Sequence, residues 1–400
     1  MNDVYRYSPL PPGNIRLLRL LPSTDETAPI QCGLIHYPLQ ESGTRSCLYE
    51  ALSYAWGSPE KLHTITVDGC ALPVTTNLHM ALRHLRDKHF ERLIWVDAVC
   101  IDQDSKLGEK EQQLHGMANV YFKAVRVIVW LGEAVEEGDR ALSVLSHAGE
   151  VGDFTWSPEN ERAVTALLKR PWFRRIWVLQ EVAAARNILI VVGRAERDGI
   201  AFTLGLKAFR KPVGIPSSSG NSRRLSTEPM FLRRCLWNTA GQLRLGISPL
   251  GSRVDMYNAH DATERRDKIF ALLGMCTEYF GEDTGLVPNY TIPWETLFTR
   301  LITYLLGEQV STQTWPESVV AVIAGKGHVI GRVSKVEVVA VDGLDFQQKV
   351  YFETWSTKIR AEHRSKHETS ECLARRRQAR DLASGTERNS LEGSKVREHV

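Results

Sequence analysis

The sequence has no apolar run approaching the roughly 18–20 residues needed to cross a bilayer, and its opening residues, MNDVYRYSPLPPG, hold no apolar signal core. Cysteine is scarce and poorly placed for bridging: 7 in 400 residues, at positions 32, 47, 70, 100, 235, 276 and 372, with no CxxC pair. That argues against a disulfide framework or a zinc site, and it points to a reducing compartment, the cytoplasm. An excess of one charge is missing too. A formal net charge of +3 is too small to imply nucleic acid or anionic lipid as a partner. With 43% hydrophobic and 24% charged residues, collagen-like, wholly disordered and membrane-embedded classes are excluded. No internal repeat is visible. The expectation is a soluble intracellular protein of two or three domains, at about 150 residues each, or one elaborate domain.

The charge is unevenly spread. From Ser356 to Val400 there are 11 Lys+Arg against 7 Asp+Glu, with an RRR run at Arg375–Arg377; the rest of the chain has 39 against 40. This stretch, 356–400, is too polar to bury a core and reads as a disordered charged tail. Residues 211–229 (KPVGIPSSSGNSRRLSTEP) are rich in Pro, Ser and Gly and read as a loop or linker. The two breaks leave an N-terminal block and a middle block, 230–345. The middle block reads as helical (Met230–Leu245, Lys268–Leu273, Trp294–Leu306) with a small β-meander over Ser318–Val341.

The N-terminal block alternates strand and helix patterns. Tyr49–Tyr54 and Thr64–Val67 are β-rich. Thr76-Asn77 offers an N-cap ahead of Leu78, Leu82 and Leu85 at helical spacing. Leu93–Cys100 (LIWVDAVC) and Val125–Leu131 (VRVIVWL) read as adjacent strands buried on both faces, and Ile188–Val192 (ILIVV) as a third. Between them, Lys106–Lys123, Glu159–Leu168 and a single run from Pro171 to Ala185 read as helices. Buried strands alternating with helices specify an α/β fold with a parallel sheet flanked by helices.

Several tempting motifs have plainer readings. GKGHVIG at Gly325–Gly331 lacks both the glycine spacing and the following helix of a dinucleotide loop, and reads as a hairpin turn. Asp102-Gln103-Asp104 reads as an Asx-rich turn rather than a cation site, and Cys100, at the end of an apolar run, as a buried thiol rather than a nucleophile. No histidine spacing suits a metal, so no metal is expected. One cluster stands out. In RPWFRRIWVLQEV (Arg170–Val182), a helix begun at Pro171 would stack Trp177 and Glu181 one turn apart. An acid on so apolar a helix is either paired with Arg170, Arg174 or Arg175, or is a functional carboxylate.

The blocks YEALSYAWG (Tyr49–Gly57), TTNLHMALRHLR (Thr75–Arg86), LIWVDAVCIDQDS (Leu93–Ser105), EKEQQLHGMANVYFKAVRVIVWLGEA (Glu109–Ala134), RPWFRRIWVLQEV and ATERRDKIFALLGM (Ala262–Met275) stand in order. They resemble the fungal heterokaryon-incompatibility (HET) domain family over roughly residues 15–305. Asp102 stands where the family usually has Asn, and Glu264-Arg265 where it usually has Asp-Pro. The HET domain is in turn similar to TIR domains. This implies a flavodoxin-like, TIR-like sheet of five parallel strands over residues 45–195, preceded by an N-terminal extension, 1–44.

The resemblance implies a role in fungal allorecognition, through programmed cell death of the innate-immunity kind. TIR domains that cleave NAD carry a Trp-x-x-x-Glu pattern, to which Trp177–Glu181 is similar. On that analogy Glu181 is the catalytic carboxylate and NAD the substrate, with no resident cofactor. Trp177 or Trp56 would form an aromatic wall, and Ser53, Tyr54 and Asp97 would bind substrate, since ligands of open α/β sheets sit at the carboxyl ends of strands. The competing expectation is a non-enzymatic TIR-like module that signals by self-association. Either way the expected partners are further copies of the chain when active and an upstream activating protein, with no nucleic acid and no membrane span.

Overall fold

The computed structural model describes residues 3–39, 49–104, 108–134, 138–151, 154–209, 249–278 and 280–314, with strands at 236–237, 243–244, 321–325, 331–341, 345–354 and 368–371. The chain divides into two compact units, 1–210 with 221–300, and 211–220 with 301–400.

The first unit is built on a mixed nine-stranded sheet. Its strands are β1 (Asn14–Leu20), β2 (Gln31–Pro38), β3 (Glu50–Tyr54), β4 (His63–Val67), β5 (Cys70–Val74), β6 (Arg92–Trp95), β7 (Val127–Trp130), β8 (Ile188–Val192) and β9 (Ala195–Asp198). They lie in the order β5-β4-β2-β1-β6-β3-β7-β8-β9. Strands β6, β3, β7 and β8 run parallel to their neighbours, whereas β1 is antiparallel to β6 and β9 to β8. The helices are α1 (Thr76–Leu85), α2 (Asp97–Cys100), α3 (Glu109–Lys123), α4 (Gly138–Val151), α5 (Pro158–Leu168), α6 (Val178–Ala184), α7 (Gly199–Ala208), α8 (Leu250–Tyr257), α9 (Asp267–Leu273) and α10 (Trp294–Leu306).

Most N-terminal elements stand where the patterns put them, and the departures have local causes. Thr75, one residue earlier than expected, caps α1 by accepting the Leu78 amide. The run LIWVDAVC is not one strand. Asp97 Oδ1 accepts the Ala98 amide at 2.7 Å, and the chain turns into the short helix α2 straight after the strand. Strands β6 and β7 are not adjacent, because β3 lies between them. The run from Pro171 is not one helix either. A 3₁₀ turn (Pro171–Arg174) is followed by extended backbone at Arg175, and α6 begins at Val178. Only four strands make the parallel core, where five were expected. Strands β1 and β2, from the stretch expected as an N-terminal extension, pair within this sheet. Among later elements, α9 and α10 match their patterns, whereas Leu236–Trp237 and Leu243–Arg244 pair as short strands inside the run expected as a helix. The expected loop at 211–229 lies outside the described residues.

Arg16 ties β1 to the helical layer. This buried guanidinium donates twice to Glu109, at 2.5 and 3.0 Å, and to the carbonyls of Cys100 and Ser8 at 3.2 and 2.6 Å. Elsewhere α4 and α7 approach so closely that a Cβ on Gly205 would stand 2.0 Å from the Leu145 carbonyl oxygen. Asp102 Oδ1 accepts the Asp104 amide at 3.2 Å, as an Asx turn does. Cys100 is buried, and burial pushes its thiol up to about 12. Among the described residues, no helix is long and apolar enough to cross a membrane.

The second unit is described by its strands. Val310–Thr314 pairs antiparallel with Ala321–Gly325, and Gly331–Val341 with Asp345–Thr354. Within the stretch expected as a tail, Glu368–Glu371 pairs with Lys349–Phe352. Residues 326–330 of the GKGHVIG motif, and 355–367 and 372–400 of the tail, lie outside the described residues.

Removing the partner of a buried charge is costly, because the stranded ion stays dehydrated. Glu109→Ala should therefore lower unfolding stability by about 3–5 kcal/mol. Urea denaturation followed by circular dichroism measures this. A loss below about 1 kcal/mol, the scale of a surface ion pair, would show that Arg16 does not depend on Glu109.

Candidate functional site

Strand β3 lies between two parallel neighbours, so Ser53 near its carboxyl end places a hydroxyl in the core, fully buried. Such a hydroxyl needs partners. It accepts the indole N–H of Trp172, from the 3₁₀ turn, at 2.8 Å, and it donates to Glu181 Oε2 through a short hydrogen bond. Glu181, on α6, is 1% exposed. Burial pushes its carboxyl up to about 7, and the charge of Asp97 adds to the rise. Arg175 opposes it, with smaller help from hydrogen bonds of Ser53 and Tyr121.

Arg175 occupies the break between the 3₁₀ turn and α6. Its Nη1 donates to the Tyr54 carbonyl at 2.5 Å and lies 3.7 Å from Glu181 Oε1; its Nη2 donates to Asp97 Oδ2 at 3.2 Å. The same Asp97 oxygen accepts the Trp56 indole N–H at 2.9 Å, and the guanidinium carbon stands 5.7 Å from the Trp56 ring centre. Burial works against the Arg175 charge, but Glu181 and Asp97 more than offset it and raise the guanidinium above its ordinary value. The buried Tyr54 phenol is pushed well above its ordinary value, first by burial and then by Asp97. Trp56 forms the outer rim at 37% exposure, beside Asn77, which donates to the Ala55 carbonyl at 2.5 Å and accepts from Trp130 at 2.9 Å.

A loop outside this cluster fixes the Arg175 backbone. The Ile176 amide donates to the Asp261 carbonyl at 2.9 Å, the Asp261 amide to the Arg174 carbonyl at 2.5 Å, and Arg174 pairs with the Asp261 carboxylate at 2.9 Å. The break in the helix is thus held from α8–α9.

Glu181, Ser53, Tyr54, Trp56 and Asp97 come together at the carboxyl ends of β3 and β6. Trp177 does not join them. It sits at the N-terminal end of α6 and serves Asp267, whose carboxyl burial raises above its ordinary value while hydrogen bonds from Tyr290 and Trp177 oppose the rise. The Glu181 amide donates to the Trp177 carbonyl at 3.3 Å, so the two stand one helical turn apart, but the indole is taken by Asp267. Sequence reasoning treated Arg175 only as a structural counter-ion and missed Trp172. The signal was the dense RPWFRRIW block itself, three arginines and two tryptophans beside one acid.

The chemistry available is that of a dehydrated carboxyl group near neutrality, held by a hydroxyl that an indole in turn fixes, with a guanidinium beside it. Among the described residues, no cluster of three or more His, Cys, Asp or Glu is placed to hold a metal ion.

Residues 49–181 match the family model for heterokaryon incompatibility protein (HET). The chain is similar to heterokaryon incompatibility protein 6, OR allele, of Neurospora crassa, with 27% identity over 354 residues, 70% of this chain and 50% of the relative. The chain thus spans about half the length of the curated relative it matches. No solved structure matches it. The resemblance to the fungal HET family, drawn from the motif blocks, is borne out by both findings.

A carboxyl raised by folding stabilises the protein while protonated and ceases to do so once ionised. Glu181 should therefore contribute its full share below its ordinary value of 4.5 and lose it as pH rises through about 7. Thermal melts of wild type and Glu181→Gln across that window should show the wild type gaining on the variant toward acid. Parallel curves would mean that Glu181 does not titrate there.

Proposed function

We propose that this chain is a heterokaryon-incompatibility-type effector of fungal allorecognition and cell death, and that its HET segment acts by hydrolysing NAD at a closed site centred on Glu181. The observation that carries the reading is a buried carboxyl, raised to about 7, at the carboxyl end of a central parallel strand. Strand order supports the comparison with flavodoxin-like, TIR-like sheets. Taken in chain order, the parallel strands lie second, first, third and fourth across the sheet, and such sheets bind ligands where that order reverses.

Cleavage breaks the bond between ribose C1′ and the nicotinamide ring nitrogen. Both bonding electrons go to nitrogen, which discharges the pyridinium, so the leaving group needs no acid. Water attacks C1′ and loses a proton, giving ADP-ribose, nicotinamide and a proton overall. Positive charge gathers on the ribose in the transition state, as in glycoside hydrolysis. An ionised Glu181 opposes that charge and binds the ribose hydroxyls, while Ser53 and Trp172 fix its position. Trp56, exposed on the rim, offers a ring face to a base or to nicotinamide.

Glu181→Gln keeps the shape and removes the charge. In the purified chain, NAD consumption should fall about 10²- to 10³-fold, with the variant still melting cooperatively. Full NAD consumption by a folded Glu181→Gln chain would overturn the enzymatic reading.

A second reading rests on the 1% exposure of Glu181 and the guanidinium 3.7 Å from it. In that case the cluster is a brace, and the domain signals by self-association. Concentrated protein that assembles and kills without consuming NAD would favour it.

A further inference from the structure

Two carboxylates and one guanidinium share the space at the carboxyl ends of β3 and β6. Arg175 Nη2 reaches Asp97 Oδ2 at 3.2 Å, whereas Nη1 donates to the Tyr54 carbonyl at 2.5 Å and stands 3.7 Å from Glu181. The last distance is too long for a hydrogen bond and well within Coulombic range. Asp97 has two further donors, the Trp56 indole at 2.9 Å and the Ala98 amide at 2.7 Å. Glu181 has the Ser53 hydroxyl, with the Tyr121 phenol beside it, and lies deeper. Were both acids ionised, the dehydrated cluster would carry a net negative charge. A proton relieves it most readily on the acid with fewer donors and less water, which is Glu181.

We propose that Arg175 and Asp97 are positioning residues for Glu181: Asp97 holds the shared guanidinium at a distance and so favours the protonated form of the Glu181 carboxyl. Loosening the Asp97 contact lets Arg175 close on Glu181 and convert it to carboxylate. Placing this at a ribose rests on the reading of Glu181 given above; the sharing of charge does not. The titratable and charged groups facing Glu181 are Arg175 from the segment before α6, Asp97 from α2, Tyr54 from β3 and Tyr121 from α3. Both phenols are buried and raised well above their ordinary values, so neither ionises in the neutral range.

The test is a carbon-13 titration of glutamate side-chain carboxyls in the full chain, with Glu181→Gln assigning the resonance, run beside the pH profile of NAD consumption. Wild-type Glu181 should titrate near 7. Asp97→Asn frees the guanidinium, so the midpoint should fall by about one pH unit, a tenfold gain in carboxylate below it. Arg175→Gln should raise it by about as much, and Arg175→Lys, which keeps the charge, should restore it to within about half a unit. A brace without electrostatic effect would leave every midpoint in place. Shifts under about 0.3 unit, or shifts of Asp97→Asn and Arg175→Gln in the same direction, overturn the proposal. So does a wild-type Glu181 titrating in the ordinary glutamate range, which needs no variant to fold. Opposed shifts without any NAD consumption would sink the ribose reading and leave the charge sharing standing. Glu181-dependent NAD consumption with unmoved midpoints would do the reverse.

Discussion

A hydroxyl in the middle of a parallel sheet has no water to turn to, and the arrangement that satisfies Ser53 organises the centre of this fold. Its two partners come from different elements, Trp172 in the 3₁₀ turn and Glu181 in α6. Both must reach β3 at once, which fixes how the segment from Pro171 to Ala184 lies across the sheet. Continuous helix would not do, since the backbone of Arg175 is extended. The extended residue turns Arg175 toward Tyr54, Asp97 and Glu181. Satisfying one buried hydroxyl thus determines a helix break, and the break delivers the cation that two acids share.

The distal segment completes what the motif-bearing segment begins. The HET match ends at residue 181, yet the extended backbone at Arg175 depends on Asp261, which exchanges main-chain hydrogen bonds with Arg174 and Ile176. On the other flank, Asp267, itself bonded by Tyr290, holds Trp177 at the entry to α6. The short helix that carries Glu181 is therefore clamped at its start by residues far along the chain, and the same compact unit runs through residue 300. A segment ending at Val182 would keep Glu181 and lose the clamps that orient it.

Much of this was legible in the sequence where a single physical signal dominated. Ile188–Val192 and Trp294–Leu306 carry unmixed apolar patterns, and they form the strand and helix those patterns specify. The clustering of Ser53, Tyr54, Trp56 and Asp97 followed from placing loops at strand ends. What stayed hidden depended on partners remote in the chain. NIRLLRL holds two arginines and does not look like an internal strand, but Arg16 is neutralised by Glu109, 93 residues away. LIWVDAVC looked continuous because apolar content says nothing about where the chain turns from strand into a short helix at an acid. Trp177 and Glu181 do stand one helical turn apart, but spacing cannot report that Asp267 claims the indole.

The burial of Glu181 restricts how a ligand reaches it. At 1% exposure it touches nothing from outside unless something above it moves. The backbone of Arg174–Ile176 is tied on both sides to Asp261, so a shift of the whole turn would break several main-chain hydrogen bonds together. Side-chain rotation is cheaper. Trp56 is 37% exposed, so its ring can swing into solvent without disturbing the sheet, while Arg175, 20% exposed, keeps its place beside Glu181. An anionic ligand at the rim would compete with Asp97 for the guanidinium as it arrived. The same displacement that uncovers Glu181 would also change the charge balance that sets its protonation, so access and ionisation at this site are physically one event.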